Sequence, residues 1–362
     1  MENSPLISIC IFTYRRPEFL RVMLQALLPQ VAPLGKQVEV WVIVNGADEV
    51  TIKAVETAQE LGPIKCIPKP IREDRFANFR SVISTVLSGE FVWLLGDHNL
   101  MAAGALQNVV SALEKQSHFD SIYVNFRCAS YPDQWPDEAI GGYQGNYKYL
   151  GNADCEDRQV YRWEQLVRPE SALCTQQYAH IFRRAILETH FSGRVLGEPY
   201  SSGETTFVHT FAIAAAMFGR PSYYIGSPSV TIFNGAQSWS SERAKVFLIG
   251  FPELLAMYEK LGLSDEQLRG AHEFVARHTR EILVEVFRRG QPDQLALIPK
   301  YFVREWHRAG TMQAVWSAFV DSQCCWIAVA LKNMGHYLES LRDYWFFNCR
   351  PARWVRAHLE KR

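Results

Sequence analysis

Phe91-Val92-Trp93-Leu94-Leu95-Gly96-Asp97-His98-Asn99 is the stretch around which the chain is organised. Five apolar residues stop at Gly96, and three polar side chains able to bind an ion or a nucleotide follow. A run of that length with a β-branched residue and two aromatics reads as a strand buried on both faces. Ligands of open α/β sheets bind just beyond the carboxyl ends of strands, so Asp97, His98 and Asn99 are expected at the rim of a cleft. Taken alone, the stretch also reads as a strand that ends in an ordinary polar turn. The flanking sequence decides between the two.

Upstream, Leu6 to Phe12 is a β-rich run followed by Thr13-Tyr14-Arg15-Arg16-Pro17. Pro17 suits the first turn of a helix, where its missing N–H has no partner to lose. Phe19, Leu20, Met23, Leu24 and Leu27 continue at helical spacing. Val38 to Val44 reads as a second buried strand closing on Asn45-Gly46, and Asp48 can cap the helix after it, which Gly62 stops. Ile64 to Ile67 is a short third strand, and Phe79, Val82, Ile83, Val86 and Leu87 mark another helix before Gly89. Strands alternating with helices at this pace predict a parallel sheet with crossover helices. The loops Thr13–Arg16, Asn45–Asp48 and Asp97–Asn99 should then share one edge, a nucleotide-binding arrangement. The first strand lacks a Gly-x-Gly-x-x-Gly turn and the chain lacks a P-loop, which weighs against a dinucleotide or P-loop enzyme.

Downstream, a helix is expected over Ala102 to Lys115 and a strand over Ser121 to Phe126. Tyr131 to Trp163 is rich in Pro, Gly, Asp and aromatics, including Trp135, Tyr143, Tyr147, Tyr149 and Tyr161. Such a segment reads as a binding loop whose rings can stack on sugars, or as an ordinary surface loop. Regular structure resumes over Ala179 to Leu187. Gly203-Glu204-Thr205-Thr206 opens a helix through Phe218, and Tyr223 to Ile225 and Val230 to Phe233 read as short strands. From about Arg243 the pattern is helical, with Leu268, Ala271, Val275, Ile282 and Val286 in one core stripe. From Lys300 onward ten Lys and Arg stand against five Asp and Glu, interleaved with Trp306, Trp316, Trp326, Trp345 and Trp354. Those faces suit an anionic membrane surface or the outside of packed helices.

Composition sets outer bounds. The 362 residues suffice for one large domain or two ordinary ones. Lys plus Arg and Asp plus Glu are both 38, so no global basic field invites nucleic acid. Eight cysteines lie scattered, without a CxxC pair or zinc spacing, and a reduced cytosolic compartment is expected. No signal peptide and no apolar run near a membrane span is read.

Two motifs now carry a resemblance. Ile7-Ser-Ile-Cys-Ile-Phe-Thr-Tyr-Arg-Arg-Pro-Glu-Phe-Leu20 resembles the opening of the large inverting glycosyltransferase family with the GT-A fold, family 2. Phe91-Val-Trp-Leu-Leu-Gly-Asp97 resembles its acidic DxD segment, in the form seen in abequosyltransferase-like bacterial enzymes. Gly203-Glu204 before a helix resembles the segment that supplies the catalytic base. The resemblance spans about Pro5 to Leu261. It implies a Rossmann-like GT-A domain over residues 1–242, a mostly parallel sheet flanked by helices. An all-helical C-terminal region over 243–362 would touch acceptor, membrane or a second subunit.

The implied activity is sugar transfer from a nucleotide-diphosphate sugar to a hydroxyl of a glycan or lipid-linked glycan. O-antigen or capsule synthesis is the implied setting, in the cytoplasm at the inner face of the membrane. Thr13, Tyr14 and Arg15 would hold base and ribose, while Asn45, Asn78, Arg80, Asp97 and His98 would contact the donor. Asp97 and Glu204 would be the catalytic pair, with His209 a candidate helper. Where the family reads Gly-Asp-Asp-Asp, this chain reads Gly96-Asp97-His98-Asn99. One carboxylate is left for Mg²⁺ or Mn²⁺, with Asn99 as a neutral second ligand. The expectation divides between a weakened metal site and metal independence, with Arg15, Arg75 or Arg80 neutralising the leaving group. A silent nucleotide-sugar-binding partner protein is the alternative function.

Overall fold

A computed structural model describes residues 4–71, 73, 75–130, 143, 147–192, 194, 197–234, 240–289, 292–305, 315 and 317–322. The chain divides into two compact units, Met1–Val275 and Ala276–Arg362.

The first unit is built on one sheet. Its first half comprises β1 (Ile7–Thr13), β2 (Val38–Asn45), β3 (Lys65–Lys69) and β4 (Phe91–Gly96), connected by α1 (Pro17–Val31), α2 (Glu49–Ala58) and α3 (Arg75–Thr85). Pro17 does occupy the first turn of α1, and Asp48 Oδ1 accepts the Thr51 N–H at 2.9 Å to cap α2. Every apolar residue of β4 is buried. The second half holds β5 (Leu100–Met101), α4 (Ala105–Lys115), β6 (Ser121–Ser130), β7 (Tyr147–Leu150), β8 (Arg158–Val160) and β9 (His180–Arg183). It ends with α5 (Arg184–Phe191), α6 (Gly203–Thr206), α7 (Val208–Met217) and β10 (Ser222–Asn234).

Strand order is β3-β2-β1-β4-β9-β6-β10-β5, with β7 beside β6 and β8 beside β10. β1 runs parallel to β2 and β4, and β6 runs parallel to β10. β9 is antiparallel to both β4 and β6, so the carboxyl ends of all the long strands still meet at one edge. The sheet is thus two parallel blocks joined by one four-residue strand. Arg183 of β9 clasps both blocks: it pairs with Glu90 before β4 and with Asp120 before β6, and its guanidinium lies over the Phe91 ring.

Three local readings change. The helix expected from Ala102 begins at Ala105, because Leu100 and Met101 form β5, paired with Thr231 and Val230 of β10. Two apolar residues are too short a run to show as a strand in sequence. The two strands expected within Tyr223 to Phe233 are one, β10, with a register shift between Ile225 and Val230. β6 runs on past Phe126 to Ser130.

Glu39 of β2 is 7% exposed and receives the Ser8 hydroxyl, the Ser88 N–H at 2.7 Å and the Ser88 hydroxyl at 3.0 Å, with Lys65 Nζ at 3.2 Å. Burial alone would raise its pKa. The hydrogen bonds, led by Ser8 and Ser88, outweigh burial and pull it from 4.5 to about 2. This node ties β1, β2, β3 and the turn that launches β4.

Ahead of β9, Ala172, Leu173 and Cys174 take left-handed φ values of 46, 57 and 62°. The nearby carbonyls are tied down from several elements. Tyr258 Oη donates to Leu173, Thr210 Oγ1 donates to Cys174, and His180 Nε2 lies 2.9 Å from the Cys174 oxygen. His209 Nε2 lies 3.0 Å from the Thr175 oxygen, inside this buried network. Helices Arg243–Lys245, Phe251–Leu261 and Asp265–Arg289 follow, with a π-helical turn at Val246–Gly250. All five members of the expected helical stripe are buried. In the second unit Arg280 pairs with Asp321, and Tyr301 and Ala318 are buried. Among the described residues no helix is long and apolar enough to cross a membrane. The tryptophans from Trp306 onward, and Trp135, lie outside the described residues.

Candidate active site at the carboxyl edge of the sheet

The anticipated residues fall into two groups. The first forms where β1 and β4 end side by side, Phe12 opposite Gly96. Gly96 to Asn99 is a tight turn, closed by the Asn99 N–H donating to the Gly96 carbonyl at 3.1 Å. The turn turns the Asp97 carboxylate back over β1. Asp97 is 4% exposed, and its Oδ2 receives the Thr13 hydroxyl at 2.9 Å. Its Oδ1 faces His98 Nδ1 at 3.0 Å and Arg16 Nη1 at 3.7 Å. Asn99 is 2% exposed, and its Oδ1 accepts the Gly96 N–H at 2.7 Å. A Cβ on Gly96 would stand 3.0 Å from the His98 ring, so glycine lets that ring fold over the turn.

Arg16 is a residue the sequence reading passed over in favour of Arg15. The backbone separates them. Arg15 sits at φ 50°, its guanidinium over the Tyr14 ring at 5.4 Å, and its charge is felt at Asp48. Arg16 takes φ −137° and ψ 57° as the residue before α1, and its Nη1 reaches to 3.7 Å from Asp97 Oδ1. The adjoining proline was the available signal: it disfavours helical backbone at Arg16.

At the ends of β2 and β3, the Asn45 amide is held at both ends by the Glu73 backbone, accepting its N–H at 2.8 Å and donating to its carbonyl at 2.9 Å. Lys69 pairs with Glu73 and donates to Ser81. Asn78 lies in α3, 4% exposed, with Oδ1 buried and without a hydrogen-bond partner. The side chain of Arg75 lies outside the described residues.

The second group gathers around Glu204. Its helix is capped by Ser202, whose hydroxyl accepts the Thr205 N–H at 3.1 Å while Thr205 Oγ1 accepts the Ser202 N–H at 2.9 Å. Capping therefore does not employ Glu204. Arg194 grips its carboxylate from two nitrogens, at 2.9 and 3.2 Å, and His190 Nε2 lies 3.2 Å from Oε1. Burial, with help from the Arg194 charge, draws His190 down from 6.5 to about 4, so the ring is neutral at pH 7. Arg80 of α3 donates to the Arg194 carbonyl at 3.4 Å, joining this group to the donor-side helix. His190, in the last turn of α5, and Arg194, three residues past its end, escaped the sequence reading because that segment has no motif of its own. His209, bound to the Thr175 carbonyl, is a core residue.

Residues 8–191 match the sequence pattern of "Glycosyl transferase family 2". The chain belongs to this family. It is a glycosyltransferase, and the first group of residues, the Asp97 turn included, lies inside the matched span. A comparison with curated proteins finds no match. Among solved structures, the transferase is similar to residues 1–349 of TarS from S. aureus, at 12% identity over 88% of this chain and 91% of that one, TM-score 0.54. The same S. aureus fragment in complex with UDP-GlcNAc aligns at 11% identity over 88% and 91%, TM-score 0.52. These likenesses show the fold, which is GT-A.

Among the described residues no three His, Cys, Asp or Glu side chains group where they could hold an ion. Asp97 is the single carboxylate of the turn, and both its oxygens already have hydrogen-bonding neighbours. These residues do not make a self-sufficient site for Mg²⁺ or Mn²⁺.

Proposed function

We propose that the enzyme transfers a sugar from a nucleotide-diphosphate donor to a hydroxyl of a glycan or lipid-linked glycan, with inversion at the anomeric carbon. The observation that carries this reading is the meeting of Thr13, Arg16 and Asp97 where β1 and β4 end. That edge is where open α/β sheets bind nucleotides, and TarS, with the same fold, is a complex with UDP-GlcNAc. Tyr14 offers a ring to the base, and the unpartnered Asn78 Oδ1 offers an acceptor to a base N–H or a ribose hydroxyl. Asn45 acts by anchoring the Glu73 backbone beside them, and Arg80, with Asp97 and His98, lines the donor.

Inversion needs a base on the acceptor side. A carboxylate has about four lone-pair positions, and the three contacts to Glu204 leave one on Oε2 for an acceptor hydroxyl. The abequosyltransferase-like motif favours a hexosyl or deoxyhexosyl donor and a bacterial surface polysaccharide as the setting. The helical region 243–362 is assigned to acceptor, membrane or subunit contacts. A panel of UDP-, GDP-, CDP- and dTDP-sugars with a lipid-linked acceptor, read by product anomer in NMR, tests the reading. A retained anomer would refute inversion, and binding without turnover would favour a silent nucleotide-sugar-binding partner. One observation favours that second reading: a single carboxylate stands where the family has three.

A further inference from the structure

We infer that Arg16 supplies the charge that stabilises the departing nucleoside diphosphate, and that the enzyme needs no divalent cation for this. The inference rests on the nucleotide-sugar reading above. Three observations converge on it. Arg16 Nη1 lies 3.7 Å from Asp97 Oδ1, so a cation is already built in beside the one acidic residue of the turn. A divalent ion would compete with that guanidinium for the same carboxylate, whose oxygens also face the Thr13 hydroxyl and His98. Asn99, finally, presents the wrong polarity for a metal. The Gly96 N–H is a donor, so the Asn99 atom facing it at 2.7 Å is the oxygen, and the amide nitrogen is the end left over. That nitrogen is buried and has no hydrogen-bond partner. An N–H donor suits a phosphate oxygen and repels a cation. The turn thus sets a guanidinium beside its one carboxylate and adds an amide N–H, and both are donors that a leaving diphosphate can take up.

In the step this serves, the bond from the anomeric carbon to the β-phosphate oxygen breaks, and its electron pair stays on that oxygen. The acceptor oxygen bonds to the anomeric carbon from the opposite face, and its proton passes to Glu204. Arg16, 26% exposed at its side chain, bridges Asp97 and the departing oxygens. A planar guanidinium with several N–H donors does this better than an ammonium. Asp97 is then a positioning residue that holds Arg16 over the edge of the sheet.

The test is calorimetry of the full chain with UDP, GDP, CDP and dTDP, in EDTA and in Mn²⁺. One nucleoside diphosphate is expected to bind in EDTA, with Mn²⁺ changing Kd by no more than about twofold. Arg16→Ala should weaken that binding by about tenfold to a hundredfold, the range of a hydrogen bond to a charged group. Arg16→Lys should recover part of the loss. Asp97→Asn gives the sharper outcome: the amide oxygen can still accept from Arg16, so binding of the nucleoside diphosphate in EDTA should persist, weakened by no more than about tenfold. Under metal ligation Asp97→Asn would abolish binding. Binding that appears only with Mn²⁺ and disappears in Asp97→Asn overturns the inference while leaving the nucleotide-sugar reading intact. Equal binding by Arg16→Ala also overturns it. Binding of no nucleoside diphosphate under either condition overturns both. Should Arg16→Ala fail to fold by circular dichroism, Arg16→Lys and Asp97→Asn decide.

Discussion

Glu39→Gln keeps the shape of the buried node beneath the site and removes its charge. The carboxylate falls from 4.5 to about 2 on folding. That difference of roughly 2.5 pH units, at 1.36 kcal/mol per unit, corresponds to about 3 kcal/mol. The side chain is 6% exposed, so solvent screens little of it. The sign follows from a depressed acid: the contribution is complete above the unfolded value of 4.5 and is lost as pH falls toward about 2. At about pH 7 the variant should unfold some 2–3 kcal/mol more easily, a drop in Tm of roughly 5–10 °C for a unit of this size. Near pH 3 less than half of that deficit should remain, because the wild-type carboxylate is then protonated on unfolding. Thermal unfolding of both proteins at the two pH values, followed by far-UV circular dichroism, measures it. A Tm deficit that is the same at both pH values would refute the charge-based account. A deficit under about 1 kcal/mol would refute the magnitude.

Glu204→Gln should lower kcat by about 10²–10⁴-fold with donor Kd unchanged, as expected for a lost general base; steady-state kinetics retaining a tenth of wild-type turnover would exclude Glu204 from that role. His180 and His190 both drop from 6.5 to about 4 through burial, so the unfolded chain takes up protons that the folded one refuses. Stability should therefore decline as pH falls from 6.5 to 4, and His190→Gln should flatten the slope by close to one proton in denaturant titrations. Gly203→Ala places a Cβ 2.7 Å from the Glu253 Cβ and 3.1 Å from the Gly250 carbonyl. It should destabilise the protein by about 1–3 kcal/mol and displace Glu204, lowering turnover as well. Thr13→Val strands a buried Asp97 oxygen without its hydroxyl donor, and a stability loss of about 1–3 kcal/mol is expected from melting curves.

The strand-helix alternation up to Gly96 was legible because β1, β2 and β4 are buried on both faces and α1 and α2 turn apolar residues to the core between them. Pro17 and Asp48 announced their helices for stereochemical reasons that need no neighbours. The second half was harder. β5 is two residues long and β9 four, and such strands exist through their partners rather than through any pattern of their own. Within the site, residue types pointed to Asp97 and to Glu204, but pairings across the fold could not be read. Arg16 meets Asp97 across 81 positions, and Glu204 is gripped by two residues of an unremarkable segment. Glu204 stands in the first turn of its helix, but the Ser202 hydroxyl caps that helix, a division of labour no local pattern announces.

The turn that carries Asp97 is also a tether. Gly96 belongs to β4, in the block with β1, and Leu100 belongs to β5, which is fastened to β10 in the other block. Just three residues, Asp97, His98 and Asn99, span the gap between the two anchorages. A peptide extends by at most about 3.3–3.6 Å per residue, and this one is already drawn into a turn. Any sliding of β10 against β4 must therefore be absorbed by those three residues, since the strands on either side cannot lengthen. The carboxylate that holds Arg16 is thus strung between the halves of the sheet like a gauge on a cable. Hydrogen exchange at Leu100 and Met101 would read that coupling, faster in a variant that loosens β10 and slower once substrate is bound.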